Sequence, residues 1–112
     1  MKFSLLSACA REMRHFSKKY RSIKQDMDEF KLVLAQYPRG RGEKNWNRLH
    51  ESDSIAVFKT RLGCTSLKRD SFRIVYAYLP TENHIEFIEI YFKGDKEAED
   101  QKRIKDYLTR SP

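Results

Sequence analysis

The chain has 112 residues, of which 39% are hydrophobic and 35% are charged, and its formal net charge is +7 at pH 7. We expect a single domain over residues 1–112, and the seven Phe, six Tyr and one Trp argue against a disordered chain. The excess of cations favours a polyanion or an acidic protein as partner, and no apolar run reaches the roughly 20 residues of a transmembrane helix.

The cysteines and the N-terminus bear on the compartment. Cys9 and Cys64 are the only two cysteines, which predicts free, buried thiols in a reducing cytoplasm. The apolar stretch in MKFSLLSACA is too short for a signal peptide and is followed at once by charged residues. No Cys or His pair has the spacing of zinc ligands, so we expect neither a metal nor another cofactor.

The N-terminal third predicts a short strand, near Phe3 to Leu6, followed by two helices. Ser22 stands where it can cap the second helix, and Pro38 ends it. The junction is so short that the helices should form an antiparallel hairpin. Two sets of apolar residues recur at helical spacing: Cys9, Met13, Phe16 and Tyr20, then Ile23, Met27, Phe30 and Leu34.

Residues 38–54 show no clear period and exceed the usual length of a connection. Trp46 and Leu49 are candidate anchors of this segment. Arg41, Lys44 and Arg48 make it cationic and are candidate RNA contacts. A solvated loop with its Trp in the core accounts for the same residues equally well.

Residues 55–62, 71–79 and 85–93 are rich in β-branched and aromatic residues and predict three antiparallel strands, since their connections are too short for parallel crossovers. In the last run Ile85 and Phe87 should lie opposite Ile88 and Ile90, which predicts a strand covered on both faces. The middle run should present two faces: Phe72, Ile74, Tyr76 and Tyr78 on one, and Arg73, Val75 and Ala77 on the other.

Cations inside these runs are the main functional clue. With an ordinary hairpin register, Lys59, Arg61 and Arg73 converge on one partly open face of the sheet. Charge within a sheet is costly unless it is paired, so this group is a candidate functional site. A salt bridge from Arg73 to Glu86 or Glu89 is the structural alternative.

Other polar residues have weaker claims. Lys68 and Arg69 form either a further RNA contact or a solvated hairpin tip, and Lys59 and Arg61 can also extend as solvated side chains. His50 is a candidate base, whereas His84 should be exposed in a turn.

After Gly94 and Asp95 the chain predicts a final helix. Its early acids and later bases suit the helix dipole. The fold class is therefore α+β, with a helical hairpin packed on a three- to four-stranded antiparallel sheet. The final helix should turn four residues toward the core: Ala98, Ile104, Tyr107 and Leu108.

The element order, with FSKKYRSI at the helix junction, FRIVY in the sheet and IEIYFKGDK before the last helix, resembles the RelE/ParE toxin superfamily. The resemblance implies a cytoplasmic toxin blocked by a cognate antitoxin, in a hetero-oligomer or as a homodimer. RelE-like members cut mRNA on the ribosome without a metal, because the RNA's own 2′-hydroxyl attacks the adjacent phosphate. Basic residues activate that hydroxyl, hold the phosphate and protonate the leaving oxygen.

Residue by residue, Lys59 and Arg61 in FKTR match the superfamily's pair of basic residues on the second strand. Arg73 in FRIVY matches its phosphate-holding arginine. Arg61 is a departure, because a lysine acting as base is typical there and the pKa of arginine is too high for that role.

Two further positions depart from the superfamily. Gly94 replaces an arginine at the end of the last strand, with Lys93 and Lys96 as nearby substitutes. Asp100 stands near the tyrosine of the last helix, and Tyr91 is the nearest replacement. Three functions stay open: a RelE-like ribonuclease toxin, a ParE-like topoisomerase inhibitor, or a catalytically degenerate binding module.

Overall fold

The computed structural model describes residues 1–67 and 71–110. The α+β class predicted from the sequence is confirmed. The elements follow one another as β1 (Lys2–Leu5), α1 (Ser7–Lys19), α2 (Ile23–Gln36), β2 (Asn47–Glu51), β3 (Ala56–Gly63), β4 (Ser71–Leu79), β5 (His84–Phe92) and α3 (Gln101–Arg110).

The strands form one sheet in the order β1-β5-β4-β3-β2. Strands β2 to β5 pair antiparallel with their neighbours, as predicted for the meander, whereas β1 pairs parallel with β5. The prediction of three or four strands is wrong, because Asn47–Glu51 adds a fifth strand at the edge of the sheet. This edge strand is mostly exposed on both sides, so it lacks the apolar alternation by which a strand is recognised.

Helices cover both faces of the sheet. Helices α1 and α2 contribute Phe16 and Phe30 to the core on one side, with Phe72, Ile74 and Tyr76 of β4; we call this side the hairpin face. Helix α3 covers the other side, the α3 face. Its small core consists mainly of Ile55, Val57, Val75, Ala77, Ile88, Ile104 and Tyr107. The two predicted faces of β4 are confirmed.

Strand β5 contains an irregularity that simple alternation misses. Val75 pairs with Glu89 but Tyr76 pairs with Phe87, so one extra residue stands in β5. As a result Ile88 packs in the core of the α3 face, while Ile90 packs on the hairpin face. The prediction that Ile88 and Ile90 share a face is wrong for this reason.

Ser22 stands at the N-cap position of α2, as predicted, but makes no capping hydrogen bond with its side chain. Its Oγ donates to the buried Asp26 carboxylate at 2.9 Å. The prediction for Ala98 is wrong. Ala98 is exposed and precedes α3, which begins only at Gln101. None of the described helices combines the length and apolar character needed to cross a bilayer.

Candidate functional site

On the α3 face, strands β3, β4 and β5 carry polar residues in two cross-strand rows. Arg61 pairs with Arg73, and Arg73 pairs with Tyr91. In the adjacent row Lys59 pairs with Val75, which pairs with Glu89. We call Lys59, Arg61, Arg73, Tyr91 and Glu89 the sheet-face site. The register therefore places the three predicted cations on one face of the sheet.

In the first row two arginines, Arg61 and Arg73, stand on directly opposed positions of β3 and β4. Like charges in that arrangement destabilise a sheet. Arginine binds a phosphate or a carboxylate through paired hydrogen bonds. The pairing of Arg61 with Arg73 thus suits an anion site.

Lys59 is held by an acid that the sequence did not single out. Its Nζ donates to Glu99 Oε1 at 2.7 Å, and the two side chains are only 23% and 7% exposed. Burial raises the pKa of Glu99, but the hydrogen bond and charge of Lys59 outweigh it and hold that pKa below its usual value. Glu99 is therefore ionised at neutral pH and balances the charge of Lys59.

Glu89 forms a second pair on the same face. Its side chain is fully buried, accepts a hydrogen bond from the Asp100 N–H at 2.8 Å and forms an ion pair with Lys96. The Lys96 ammonium also lies 5.2 Å from the centroid of the Tyr91 ring. Residues 93–100, the covering segment, thus contact the site through Lys96, Glu99 and Asp100.

Tyr91 is 5% exposed and lies under Lys96, so its ring is not open to a nucleobase in this arrangement. Burial raises the pKa of Tyr91, Glu99 and Glu89 raise it further, and Arg73 opposes the shift. Tyr91 is therefore a neutral phenol that can donate a proton. Lys93, the other predicted substitute, is exposed.

The predicted RNA contacts outside the sheet have their own surroundings. Arg41 pairs with Glu43 at 3.2 Å, and Arg48 pairs with Glu51 at 3.5 Å. Lys44 is exposed. Lys68 and Arg69 lie outside the described residues.

The loop before β2 is anchored by a hydrogen-bonded chain. Trp46 Nε1 donates to Tyr76 Oη at 2.9 Å, and Tyr76 Oη donates to the Pro38 carbonyl at 2.7 Å. Trp46 thus anchors this loop, as the sequence suggested. A Cβ at Gly40 would lie 2.7 Å from the Trp46 ring, so this position requires glycine.

His50 does not line the sheet-face site. It lines a cavity of about 310 Å³ between β2 and α3, with Ile104 and Leu108 among its neighbours. Its claim as a base therefore has no support from the geometry.

A side-chain pair completes the edge of β5. Strand β1 pairs only with His84 to Phe87, and beyond them Arg103 Nη1 donates to the Ile88 carbonyl at 2.9 Å. Glu12 Oε1 accepts from the Ile90 N–H at 3.2 Å, and Arg103 binds both Glu12 oxygens, at 2.9 and 2.8 Å. This pair ties α1 to α3. The sequence held no signal for it, since the two residues are far apart in the chain.

Cys9 and Cys64 are both free and buried, as predicted. Burial, followed by the charge of Glu12, raises the pKa of Cys9 to about 12, so its thiol is neutral. Among residues 1–67 and 71–110, no three His, Cys, Asp or Glu side chains cluster to hold a metal ion.

No protein-family model and no curated protein sequence matches this chain. A solved chain from the archaeal RelE–RelB complex of Pyrococcus horikoshii OT3 superposes with a TM-score of 0.65. The fold is RelE-like. The likeness covers 85% of this chain and 97% of that one, at 14% sequence identity, so it concerns the fold alone.

Proposed function

We propose that this protein is the toxin of a type II toxin–antitoxin pair and that it cleaves mRNA on the ribosome without a metal. The RelE-like fold supports this proposal. The observation that carries it is the row of Arg61, Arg73 and Tyr91 across three strands of that fold. The partners are a cognate antitoxin, mRNA and the ribosome.

In this proposal Arg61 and Arg73 hold the scissile phosphate. The 2′-oxygen attacks phosphorus, the bond to the 5′-oxygen breaks, and the products are a cyclic phosphate and a 5′-hydroxyl. Negative charge grows on the phosphate oxygens during this step, and fixed guanidinium donors stabilise it. The neutral phenol of Tyr91 supplies the proton for the departing oxygen.

Substrate entry requires the covering segment to move, because Glu99 and Lys96 occupy the surroundings of Lys59 and Tyr91. The departure of Glu99 leaves Lys59 beside two arginines. Lys59 is then the candidate for the group that takes the proton from the 2′-hydroxyl. Arg61 cannot do so.

The test is Arg73→Ala, with Arg110→Ala as control because Arg110 is an exposed arginine outside the site. Cleavage of translated mRNA should fall roughly a hundred- to thousandfold in Arg73→Ala, as for loss of one transition-state donor. Thermal stability should stay near that of the wild type, and the control should cleave normally.

Two outcomes contradict the proposal. Full cleavage by folded Arg73→Ala means that the site lies elsewhere. A large fall in melting temperature with unchanged cleavage per folded molecule means that Arg73 has a structural role, such as a salt bridge to Glu86 or Glu89.

The ion pairs Lys59–Glu99 and Lys96–Glu89 favour a second candidate, a catalytically degenerate binding module, because both cations are already neutralised. This candidate predicts that neither wild-type protein nor Glu99→Gln slows growth or cuts mRNA.

A further inference from the structure

Helix α1, the turn after it and the first residues of α2 carry most of the net positive charge of the protein. Residues 11–24 contain one acid, Glu12, and the rest of the chain has 17 Lys and Arg against 15 Asp and Glu. This segment therefore has a net charge of +5, out of +7 for the whole chain. Its six cations are Arg11, Arg14, Lys18, Lys19, Arg21 and Lys24.

All six cations are exposed. Within the described part of the chain none of them forms an ion pair, and Glu12, the one acid nearby in sequence, is bound to Arg103 instead. Lys19 lies over the Tyr20 ring, at 5.6 Å from its centroid, but has no acidic partner there. Ion pairs within the described residues therefore do not neutralise these charges.

Three of the cations form one line along the helix. Arg11, Arg14 and Lys18 are spaced by three and four residues, so they lie on one side of α1 over a rise of roughly 10 Å. Cys9 and Phe16, on the opposite side, are buried in the core of the hairpin face. We call Arg11, Arg14 and Lys18 the basic stripe, and it points away from the sheet.

We propose that the basic stripe, assisted by Lys19 and the turn after α1, binds the phosphate backbone of a nucleic-acid duplex without reading its sequence. Unpaired exposed Lys and Arg gain affinity for phosphates by releasing the counterions of the nucleic acid. The stripe lies on the side of the sheet opposite to the sheet-face site, so the two surfaces can bind phosphate independently.

The helix is unsuited to a membrane surface. A membrane-binding amphipathic helix inserts its apolar side chains between lipids. The exposed residues of α1 are all polar or charged, and its apolar residues pack against the protein core.

Single strands are also disfavoured, because proteins bind them by stacking bases on exposed aromatic rings. The Phe16 ring packs edge-on against Phe72 at 4.7 Å, and Tyr20 packs between Phe72 and Phe92. His15 packs against Phe16 at 5.3 Å. Contact with a duplex backbone needs no such platform.

The experiment compares two triple variants that remove the same charge. Arg11→Gln/Arg14→Gln/Lys18→Gln removes the stripe, and Lys102→Gln/Lys105→Gln/Arg110→Gln removes three exposed cations of α3. Binding to a fluorescent RNA duplex and to a DNA duplex of the same sequence is measured by anisotropy across a salt series. Circular dichroism and melting temperature confirm that both variants are folded.

The stripe variant should bind on the order of a hundredfold more weakly at about 0.1 M salt, with a salt slope smaller by about 2 to 3. The α3 control should keep most of the affinity and slope of the wild type. Duplex binding is measured without ribosomes or translated mRNA, which separates this proposal from the proposed cleavage. RNA and DNA binding together identify the backbone as the ligand, and preference for one identifies the duplex form.

Four outcomes overturn the proposal. Equal losses in the two triple variants mean that net charge alone acts. The others are absence of duplex binding by the wild type, equally tight binding to a single strand, and stripe-dependent binding to phosphatidylserine vesicles without duplex binding.

Discussion

The α3 face and the outer side of α1 are both rich in cations, but the cations of the two regions differ in whether they have acidic partners. On the α3 face Lys59 and Lys96 each meet a carboxylate that is almost or fully buried. On α1 the basic stripe meets no acid among the described residues. Charge inside a fold must be paired to be tolerated, whereas charge in solvent stays available to an outside anion. Paired cations should therefore govern stability, and unpaired ones should govern binding.

The largest expected effect on stability comes from Arg103→Met. It removes the guanidinium from Glu12 and from the Ile88 carbonyl, and leaves a half-buried carboxylate without its cation. We expect the free energy of unfolding to fall by roughly 2 to 3 kcal/mol. Urea titration measures it.

Arg11→Met is the matched control, because it removes one exposed cation from the basic stripe. It should change stability by no more than about 0.5 kcal/mol. Similar losses of stability in Arg103→Met and Arg11→Met would contradict the distinction between paired and unpaired cations.

A smaller effect is expected when a paired cation is released. Glu99→Gln frees Lys59 to meet a phosphate, so affinity for RNA should rise about fivefold near 0.1 M salt, with a salt slope steeper by about 0.7. Glu97→Gln removes the same charge from an exposed acid of the covering segment and serves as control. If Glu99 were a catalytic base instead, Glu99→Gln would bind normally but cleave slowly.

The smallest expected effect is on the pH dependence of stability and concerns Asp26, a buried acid that accepts its hydrogen bonds from uncharged groups. It accepts hydrogen bonds from the Thr65 N–H at 3.0 Å, Thr65 Oγ1 at 2.7 Å and Ser22 Oγ at 2.9 Å. Burial raises the pKa of Asp26, but these hydrogen bonds outweigh it and lower that pKa below the ordinary 3.8.

A lowered folded-state pKa stabilises the protein above the ordinary value, and this contribution is lost as the pH falls through the folded-state pKa. Stability should therefore decline below about pH 4, and Asp26→Asn should decline less steeply. Asp53→Asn, which changes an exposed acid, should follow the wild type. Parallel curves for all three proteins would contradict the role of Asp26.

The meander was predictable because its strands obey a period of two and are separated by clear turns. That same period put Lys59, Arg61 and Arg73 on one face, and the register agrees. The sequence does not predict strand β2, because an exposed edge strand needs no apolar pattern. Simple alternation predicts the wrong face for Ile90, because one extra residue in β5 reverses the alternation after it.

The acids of the candidate site were harder to predict than its cations. Glu99 stands in a run of charges before α3 that suits the helix dipole, and nothing in that run shows which acid reaches Lys59. The Glu12–Arg103 pair joins residues from opposite ends of the chain. Only the packing of α1 and α3 against the sheet brings such groups together.

The parallel pairing of β1 with β5 has a consequence for synthesis. Lys2 pairs with His84, so β1 waits for a partner strand that is made about 80 residues later. At translation rates of roughly 5 to 20 residues per second, this delay is about 4 to 16 seconds. Helices α1 and α2 can form during that interval, but the sheet beneath them cannot close. The sheet is thus complete only after β5 has been made, because β5 pairs with β1 on one side and with β4 on the other.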